Sequence, residues 1–162
     1  MTATAIIEQL DKLIRLHENL LRLAGDKTEA IKKNDMEKVE KLMLDEQKYI
    51  QAINQIETKR QQDVALFLGN PDGSFTLQDV IGLAEEQDKI RLTEQREQLL
   101  ALIDDLKQLN SLNQQLIYQS LQYVNLSLDL LRPQSVHYNY DKPANAGVGK
   151  KAFSRGMFDS KA

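Results

Sequence analysis

Residues 85–131 contain neither glycine nor proline, and this uninterrupted stretch constrains the fold more than any other feature of the chain. Apolar residues recur through it at spacings of three and four, which places them on one side of an α-helix. Such a helix buries its apolar side against other helices, so the sequence predicts a helical bundle. The stripe contains Leu92, Leu99, Leu102, Ile103, Leu106, Leu109, Leu112, Leu116, Ile117, Leu121, Val124, Leu128 and Leu131.

Two further long helices are predicted before this stretch. The first shows the same apolar spacing and is expected over residues 4–33. Asn34 and Glu37 have the spacing of a capping box, with Asn34 as the capping residue, which predicts that a second helix begins there. That helix is expected to continue to Leu68, because residues 69–73 (sequence GNPDG) form the clearest turn in the chain.

A short third helix is predicted after this turn. Thr76 and Asp79 again have capping-box spacing, and the helix is expected to extend to about Ala84. Whether it joins the helix that follows stays open near residues 82–88. No segment alternates like a strand. The predicted fold class is therefore all-α: an elongated antiparallel three- to four-helix bundle with coiled-coil-like packing, because short connections reverse successive long helices.

The residue types that are scarce in the chain exclude several classes of function. None of its 162 residues is cysteine, which excludes disulfides, cysteine-based zinc sites, iron–sulfur clusters and a thiol nucleophile. No segment has the ~18 consecutive apolar residues of a membrane span. The first residues lack the basic region of a secretory signal. We therefore expect a cytoplasmic protein with no membrane insertion, no metal and no cofactor.

The titratable residues do not form a recognisable catalytic set. A di-iron bundle needs two Glu-x-x-His pairs, and neither His17 nor His137 has a glutamate three residues before it. The acidic pairs at residues 85–86 and 104–105 consist of adjacent residues, which diverge by about 100° on a helix. Neither pair can flank a single substrate atom, so we expect no enzyme activity.

The chain changes in character at Pro133. Residues 1–132 carry 16 Lys and Arg against 22 Asp and Glu, whereas residues 133–162 carry 5 against 2. All leucines and isoleucines precede Pro133, so the last segment cannot form its own core. We predict two domains, a helical bundle over 1–132 and a flexible basic aromatic tail over 133–162. The tail is either a binding segment, because tyrosine is a frequent interface anchor, or an inert terminus.

Three polar residues, Asn110, Asn113 and Ser120, interrupt the apolar stripe of the last helix. Two interpretations stay open for them. A buried polar layer sets the register of packed helices, as an asparagine does in coiled coils. Alternatively, these side chains contact a partner helix. Surplus apolar surface on a helix marks an interaction site or an oligomer interface. The stripe is broader than two bundle neighbours need at Leu116, Ile117, Leu121, Val124 and Leu128.

Several motifs occur in a characteristic order. The stretch Leu109-Asn110-x-x-Asn113-x-x-Leu116-Ile117-x-x-Ser120-Leu121 is followed by Leu130-Leu131-Arg132-Pro133 and then by Tyr140. Residues 53–60 and 76–81 precede them. Residues 53–60 and 76–81 resemble the second helix and the short third helix of the FlgN family of flagellar export chaperones. The stretch 109–121 resembles the last long helix of that family, residues 130–133 resemble the exit into its tail, and Tyr140 corresponds to the tail tyrosine.

The resemblance implies a cytoplasmic, non-enzymatic chaperone for hook-associated proteins, which form the hook–filament junction. Such a chaperone prevents premature assembly of its clients' terminal helices and delivers them to the type III export gate. It implies docking to the cytoplasmic domain of the gate for Tyr140, with Tyr138 as the other candidate. It implies client binding by the last long helix and the tail. The residues expected to bind the client on the helix are Asn110, Asn113, Leu116, Ile117, Ser120, Leu121, Val124 and Leu128.

Two other interpretations remain open. A self-associating structural coiled-coil adaptor would use the stripe of the last helix as a homodimer interface and would have no secretion client. An adaptor for nucleic acid or a membrane surface would use the basic tail, and its affinity would fall steeply with salt. The acidic body and the lack of a Lys/Arg stripe argue against the second, so we expect no nucleic-acid partner.

Overall fold

The computed structural model of the protein describes residues 3–131, which form four α-helices and no β-strand. None of these helices combines the length and the apolar character that crossing a membrane requires. The all-α prediction is confirmed. The helices are α1 (Thr4–Lys32), α2 (Met36–Leu68), α3 (Leu77–Leu83) and α4 (Glu86–Leu131).

The connection between α1 and α2 differs from the prediction in one respect. Asn34 does not cap α2 but follows the end of α1 in the left-handed conformation, with φ of 55°. The Asp35 N–H then donates to the Ala30 carbonyl at 2.9 Å, as in a Schellman motif. Asp35 is the capping residue of α2, and its carboxylate accepts from the Lys38 N–H at 3.1 Å. Asparagine is one of the few residues besides glycine that adopt a positive φ readily, so Asn34 suits the end of α1. The capping of α2 then falls to the next residue, Asp35.

The turn after α2 and the start of α3 follow the prediction. Gly69 ends α2 with φ of 71°, a conformation that favours glycine. At the start of α3 the Asp79 carboxylate accepts from the Thr76 N–H at 2.8 Å and from the Thr76 hydroxyl at 2.9 Å. The backbone hydrogen bond, with help from the hydroxyl, lowers the pKa of Asp79 from its ordinary 3.8. Ala84 is extended, with ψ of 158°, so α3 and α4 are separate helices.

Helices α1 and α2 are antiparallel. Near the end of α1, Lys27 pairs with Glu46 of α2 at 2.8 Å. Near the start of α1, the Gln9 amide donates to Asp63, which lies close to the end of α2. Residue numbers therefore rise along α1 as they fall along α2, as the short connection between the helices requires.

Helix α4 runs parallel to α1. The Gln95 side chain donates to the Ile7 carbonyl at 3.0 Å, and the Asn113 side chain donates to the Ala24 carbonyl at 3.0 Å. Both bonds join the two helices at positions that rise together. The long helices α1, α2 and α4 therefore alternate in direction along the chain. The short helix α3 lies in the connection between α2 and α4.

Chain contacts divide the molecule into residues 1–120 and residues 121–162, so the division lies within α4. The first unit has two buried apolar clusters, one where α3 joins the bundle and one at the α1–α2 connection. The first cluster contains Ala3, Ile6, Leu10, Leu13, Val64, Val80, Ala84 and Leu92. The second contains Leu23, Ala30, Ile31, Val39 and Leu42, with Tyr49, Leu116 and Ile117 packed against it.

Candidate functional site

The structure buries Asn113 between α1 and α4. Its side chain is 2 % exposed. The amide nitrogen donates to the Ala24 carbonyl, and the amide oxygen accepts from the Thr28 hydroxyl at 2.5 Å. A buried amide with partners on the facing helix restricts how α4 can slide along α1. These contacts are the ones expected of a polar layer that sets register, and they leave little of Asn113 to meet a partner.

The other two polar residues of the stripe are placed differently. Ser120 is half-buried, and its hydroxyl donates to the Leu116 carbonyl of the preceding helical turn at 2.8 Å. Asn110 is exposed, and no hydrogen bond of its side chain is present within the described part of the chain. Of the three, Asn110 alone presents an available amide at the surface of residues 3–131.

A groove between α2 and α4 contains Asn110. We call it the α2–α4 groove; it has a volume of about 500 Å³. Its lining is mostly apolar, with Met43 and Ile50 about half exposed. Its charged groups, Lys27 and Glu46, pair with each other at 2.8 Å, so the groove presents no unpaired charge. The lining residues are Leu20, Lys27, Met43, Glu46, Ile50, Leu106, Asn110, Asn113, Gln114 and Ile117.

Both walls of the α2–α4 groove repeat at the spacing of helix packing. On α4 the lining residues Leu106, Asn110 and Ile117 follow spacings of four and seven, and on α2 Met43 and Ile50 are seven apart. Seven-residue spacing is the repeat with which a helix meets another helix over several turns. The groove therefore suits a third helix laid along it, with an apolar face and a polar group opposite Asn110.

Sequence reasoning did not single out Met43 and Ile50 as site residues. Both belong to an apolar stripe of α2, in which Leu42, Met43, Tyr49, Ile50 and Ile53 recur at helical spacing, and their spacing of seven is visible in the sequence. The stripe alone could not tell which of its members would be covered. Leu42, the neighbour of Met43, is 9 % exposed, whereas Met43 is 50 % exposed.

The end of α4 forms a second apolar surface, in the unit that begins at residue 121. We call the eleven residues 121–131 the leucine-rich end. All five of its leucines are at least half exposed. At about 100° per residue, Leu121 and Leu128 lie on one side of the helix, and Leu126 and Leu130 lie on nearly the opposite side. The five are Leu121, Leu126, Leu128, Leu130 and Leu131.

Some predicted site residues lie outside the described part of the molecule. Tyr140, Tyr138 and the whole predicted tail, 133–162, are beyond residue 131. The side chain of Val124 is also outside the description. Within residues 3–131, no cluster of three or more acidic or histidine side chains could hold a metal ion. Apart from Ser120, the predicted client residues that are described divide between the α2–α4 groove, the second buried cluster and the leucine-rich end.

Comparison with known proteins gives one family and one close relative. The family model described as FlgN protein matches residues 1–147. The chain is 38 % identical over its full 162 residues to the uncharacterized protein YvyG of Bacillus subtilis (strain 168), and the match covers that protein completely. No solved structure matches the chain.

Proposed function

The chain belongs to the FlgN family of flagellar export chaperones, and from this premise we propose that it binds the terminal helices of hook-associated proteins in the cytoplasm. Binding keeps those helices from assembling early, and the chaperone delivers its client to the export gate. Members of the family bind flagellar hook-associated proteins, so membership supports the class of client. The proposal adds which surfaces hold the client and what happens to it next.

The exposed leucines of the leucine-rich end are the observation that carries this proposal. Single exposed leucines are common on protein surfaces, but a contiguous apolar patch marks an interaction site. Here five leucines fall within eleven residues, and Leu130 and Leu131 are 78 % and 80 % exposed. Because they occupy two sides of one helix, more than one helix of a client is needed to cover them. Amphipathic terminal helices supply apolar faces of the required kind.

The α2–α4 groove is a second proposed client surface, within residues 1–120. Asn110 and Ile117, two of the client residues implied by the family resemblance, line it. We assign Asn113 to holding α4 in register with α1, since its amide already has partners there. In this division of roles Asn113 shapes the surface that Asn110 and Ile117 present.

A calorimetric titration of the full chain with a purified hook–filament junction protein from the same genome tests the proposal. The double variant Leu121→Ser/Leu128→Ser removes two exposed leucines without opening a cavity. We expect its affinity to fall by roughly tenfold for each leucine, because burying one leucine contributes about 1.5–3 kcal/mol. The matched control is Gln122→Ser/Asn125→Ser, which changes two exposed polar residues of the same segment and leaves affinity unchanged.

Two results would contradict the proposal. One is that no junction protein binds the wild-type chain. The other is that both double variants bind equally well. Sedimentation velocity on the free chain adds a separate check, because a stable dimer that Leu121→Ser/Leu128→Ser dissociates would favour the structural coiled-coil adaptor instead.

Delivery to the export gate is tested through Tyr140. We propose that Tyr140 contacts the cytoplasmic domain of the gate, so Tyr140→Ala should weaken binding of the chaperone–client complex to that domain. The control is Tyr138→Ala, two residues away in the same basic segment. Client affinity should be the same for both variants. A loss of gate binding with Tyr138→Ala alone would transfer the role to Tyr138.

A further inference from the structure

A second pocket lies in the unit of residues 1–120, apart from the α2–α4 groove. We call it the Arg96 pocket; its volume is about 370 Å³. Each of the four helices contributes to its apolar lining, with Leu13 from α1, Ile53 from α2, Leu77 from α3 and Leu100 from α4. Leu100 is 50 % exposed, so this apolar surface is accessible. A volume of this size is within the range of pockets that bind ligand groups.

The charges around the Arg96 pocket do not cancel. Arg60 of α2 is held by Glu57, with Arg60 Nε donating to Glu57 Oε2 at 2.7 Å, so this pair is satisfied. Arg96 of α4 has no ion-pair or hydrogen-bond partner within the described part of the chain. The pocket therefore has an unpaired guanidinium at its edge, although residues 1–132 carry more acidic than basic side chains.

His17 contributes a further available group. Its Nδ1 lies 2.7 Å from the Leu13 carbonyl, which requires that Nδ1 carries the hydrogen and donates it. Its Nε2 has no partner among the described residues, and His17 lines the same pocket as Arg96. The pocket thus combines an apolar floor with polar groups whose hydrogen-bonding capacity is unused.

We propose that the Arg96 pocket binds a second segment of the client, in which a carboxylate lies about one helical turn from a bulky apolar side chain. This inference rests on the proposed function and adds a docking site that the leucine-rich end and the α2–α4 groove do not provide. The carboxylate pairs with Arg96, and the apolar side chain enters among Leu100 and its neighbours.

The spacing on α4 supports this occupant. Arg96 and Leu100 are four residues apart, so they are neighbours on one face of the helix, about 5–6 Å between their Cβ atoms. Leu99 and Ile103 continue the apolar lining on the same side. A helical segment with the matching spacing would meet both groups at once. Arginine is the suitable cation, because its planar guanidinium can form two parallel hydrogen bonds with one carboxylate.

The α2–α4 groove and the leucine-rich end are less suited than the Arg96 pocket to binding an acidic segment. In the α2–α4 groove, Lys27 and Glu46 neutralise each other at 2.8 Å. The leucine-rich end contains no Lys or Arg that could pair with a carboxylate. Of these three apolar surfaces, the Arg96 pocket is therefore the one that has a cation without a partner among the described residues.

The test uses the full chain and a purified hook–filament junction protein from the same genome. The variant Arg96→Gln/Leu100→Ser removes the charge and the apolar contact. The matched control is Lys107→Gln/Leu112→Ser, which changes an exposed cation and an exposed leucine of α4 outside both pockets. We expect about a tenfold loss of affinity for the first variant and no loss for the control.

A photo-crosslinking amino acid at position 100 identifies the occupant. We expect crosslinks to a client peptide with an aspartate or glutamate one helical turn from the crosslinked residue. Crosslinks to a second copy of the chain or to its own residues 132–162 would overturn the proposal. So would wild-type affinity in Arg96→Gln/Leu100→Ser. If the wild-type chain fails to bind the junction protein, the proposed function fails and this inference with it.

Discussion

The apolar stripe predicted for α4 runs through both parts of the helix, before and after residue 121, but its described residues are mostly buried or half-buried in the first part and exposed in the second. Before residue 121 the helix buries Leu92 completely and Asn113 almost completely, at 0 % and 2 % exposed. After residue 120 the leucines stay exposed, and Leu130 and Leu131 are each about four-fifths exposed. An apolar stripe in the sequence therefore predicts a helix with an apolar side. It does not predict which residues of that side another helix of the same chain covers.

This difference matches a division between folding and binding. The buried part of α4 has its partners within residues 1–120, through the Asn113 bonds to α1 and through Leu92 in the first apolar cluster. The leucine-rich end has apolar surface that is costly to leave in water. In the proposed function, a client helix replaces the water at this surface.

The largest expected effect comes from exchanging one leucine in each part for alanine. Leu92→Ala leaves a cavity in a closed cluster and should lower the free energy of unfolding by about 2–5 kcal/mol. Leu130→Ala opens no cavity and should change it by no more than about 0.5 kcal/mol. Urea unfolding followed by circular dichroism measures both. Equal losses would mean that the two parts of α4 are packed alike.

The second effect concerns the asparagines. Asn113→Ala removes the two buried hydrogen bonds that the amide makes to Ala24 and Thr28 of α1, and it should lower the free energy of unfolding by about 1–3 kcal/mol. Asn110→Ala, on the exposed rim of the α2–α4 groove, should leave it nearly unchanged while weakening client binding. The same unfolding experiment, paired with calorimetric titration, separates the two residues. A stability loss in Asn110→Ala would contradict this assignment.

A third prediction compares the two sides of the leucine-rich end. Leu126→Ser/Leu130→Ser should weaken client binding by roughly tenfold for each leucine, as is expected for Leu121→Ser/Leu128→Ser, without changing the unfolding midpoint. The reason is that client helices are proposed to cover both sides. Calorimetric titration gives the two affinities. If only one of the two double variants loses affinity, a single client helix covers one side of the leucine-rich end. That side would then be buried in the complex as one side of α4 is buried before residue 121.

The smallest expected effect is at the start of α3. Because folding lowers the pKa of Asp79, its ionised form stabilises the fold at pH values above 3.8, and this contribution disappears as pH falls through the lowered pKa. In Asp79→Asn that contribution is missing. The variant should therefore be slightly less stable than wild type at neutral pH and should approach it in acid. The urea midpoints of wild type and Asp79→Asn, measured from neutral pH down into acid, test this prediction. A difference between the two midpoints that stays constant with pH would contradict it.

The connections show which local features were readable in advance. The glycine-rich turn and the Thr76–Asp79 pair depend on residues within a few positions of each other, and both were predicted. The Asn34 assignment was wrong because Asn34 and Asp35 are both good capping residues, and the choice depended on how α1 ends. The break at Ala84 was left open, since neither alanine nor its neighbours force a helix to stop.

Sequence periodicity by itself determined the all-α class, the three long helices and the short one between them, because the spacing of apolar residues and the caps act locally along the chain. The order of the motifs in the sequence also indicated the family. Tertiary structure alone decided which members of each stripe are buried. It placed Thr28 opposite Asn113, left Asn110 and Ile50 at the surface, and left Arg96 without a partner among residues 3–131. These outcomes depend on residues distant in sequence, and a one-dimensional pattern holds no information about which distant side chains meet.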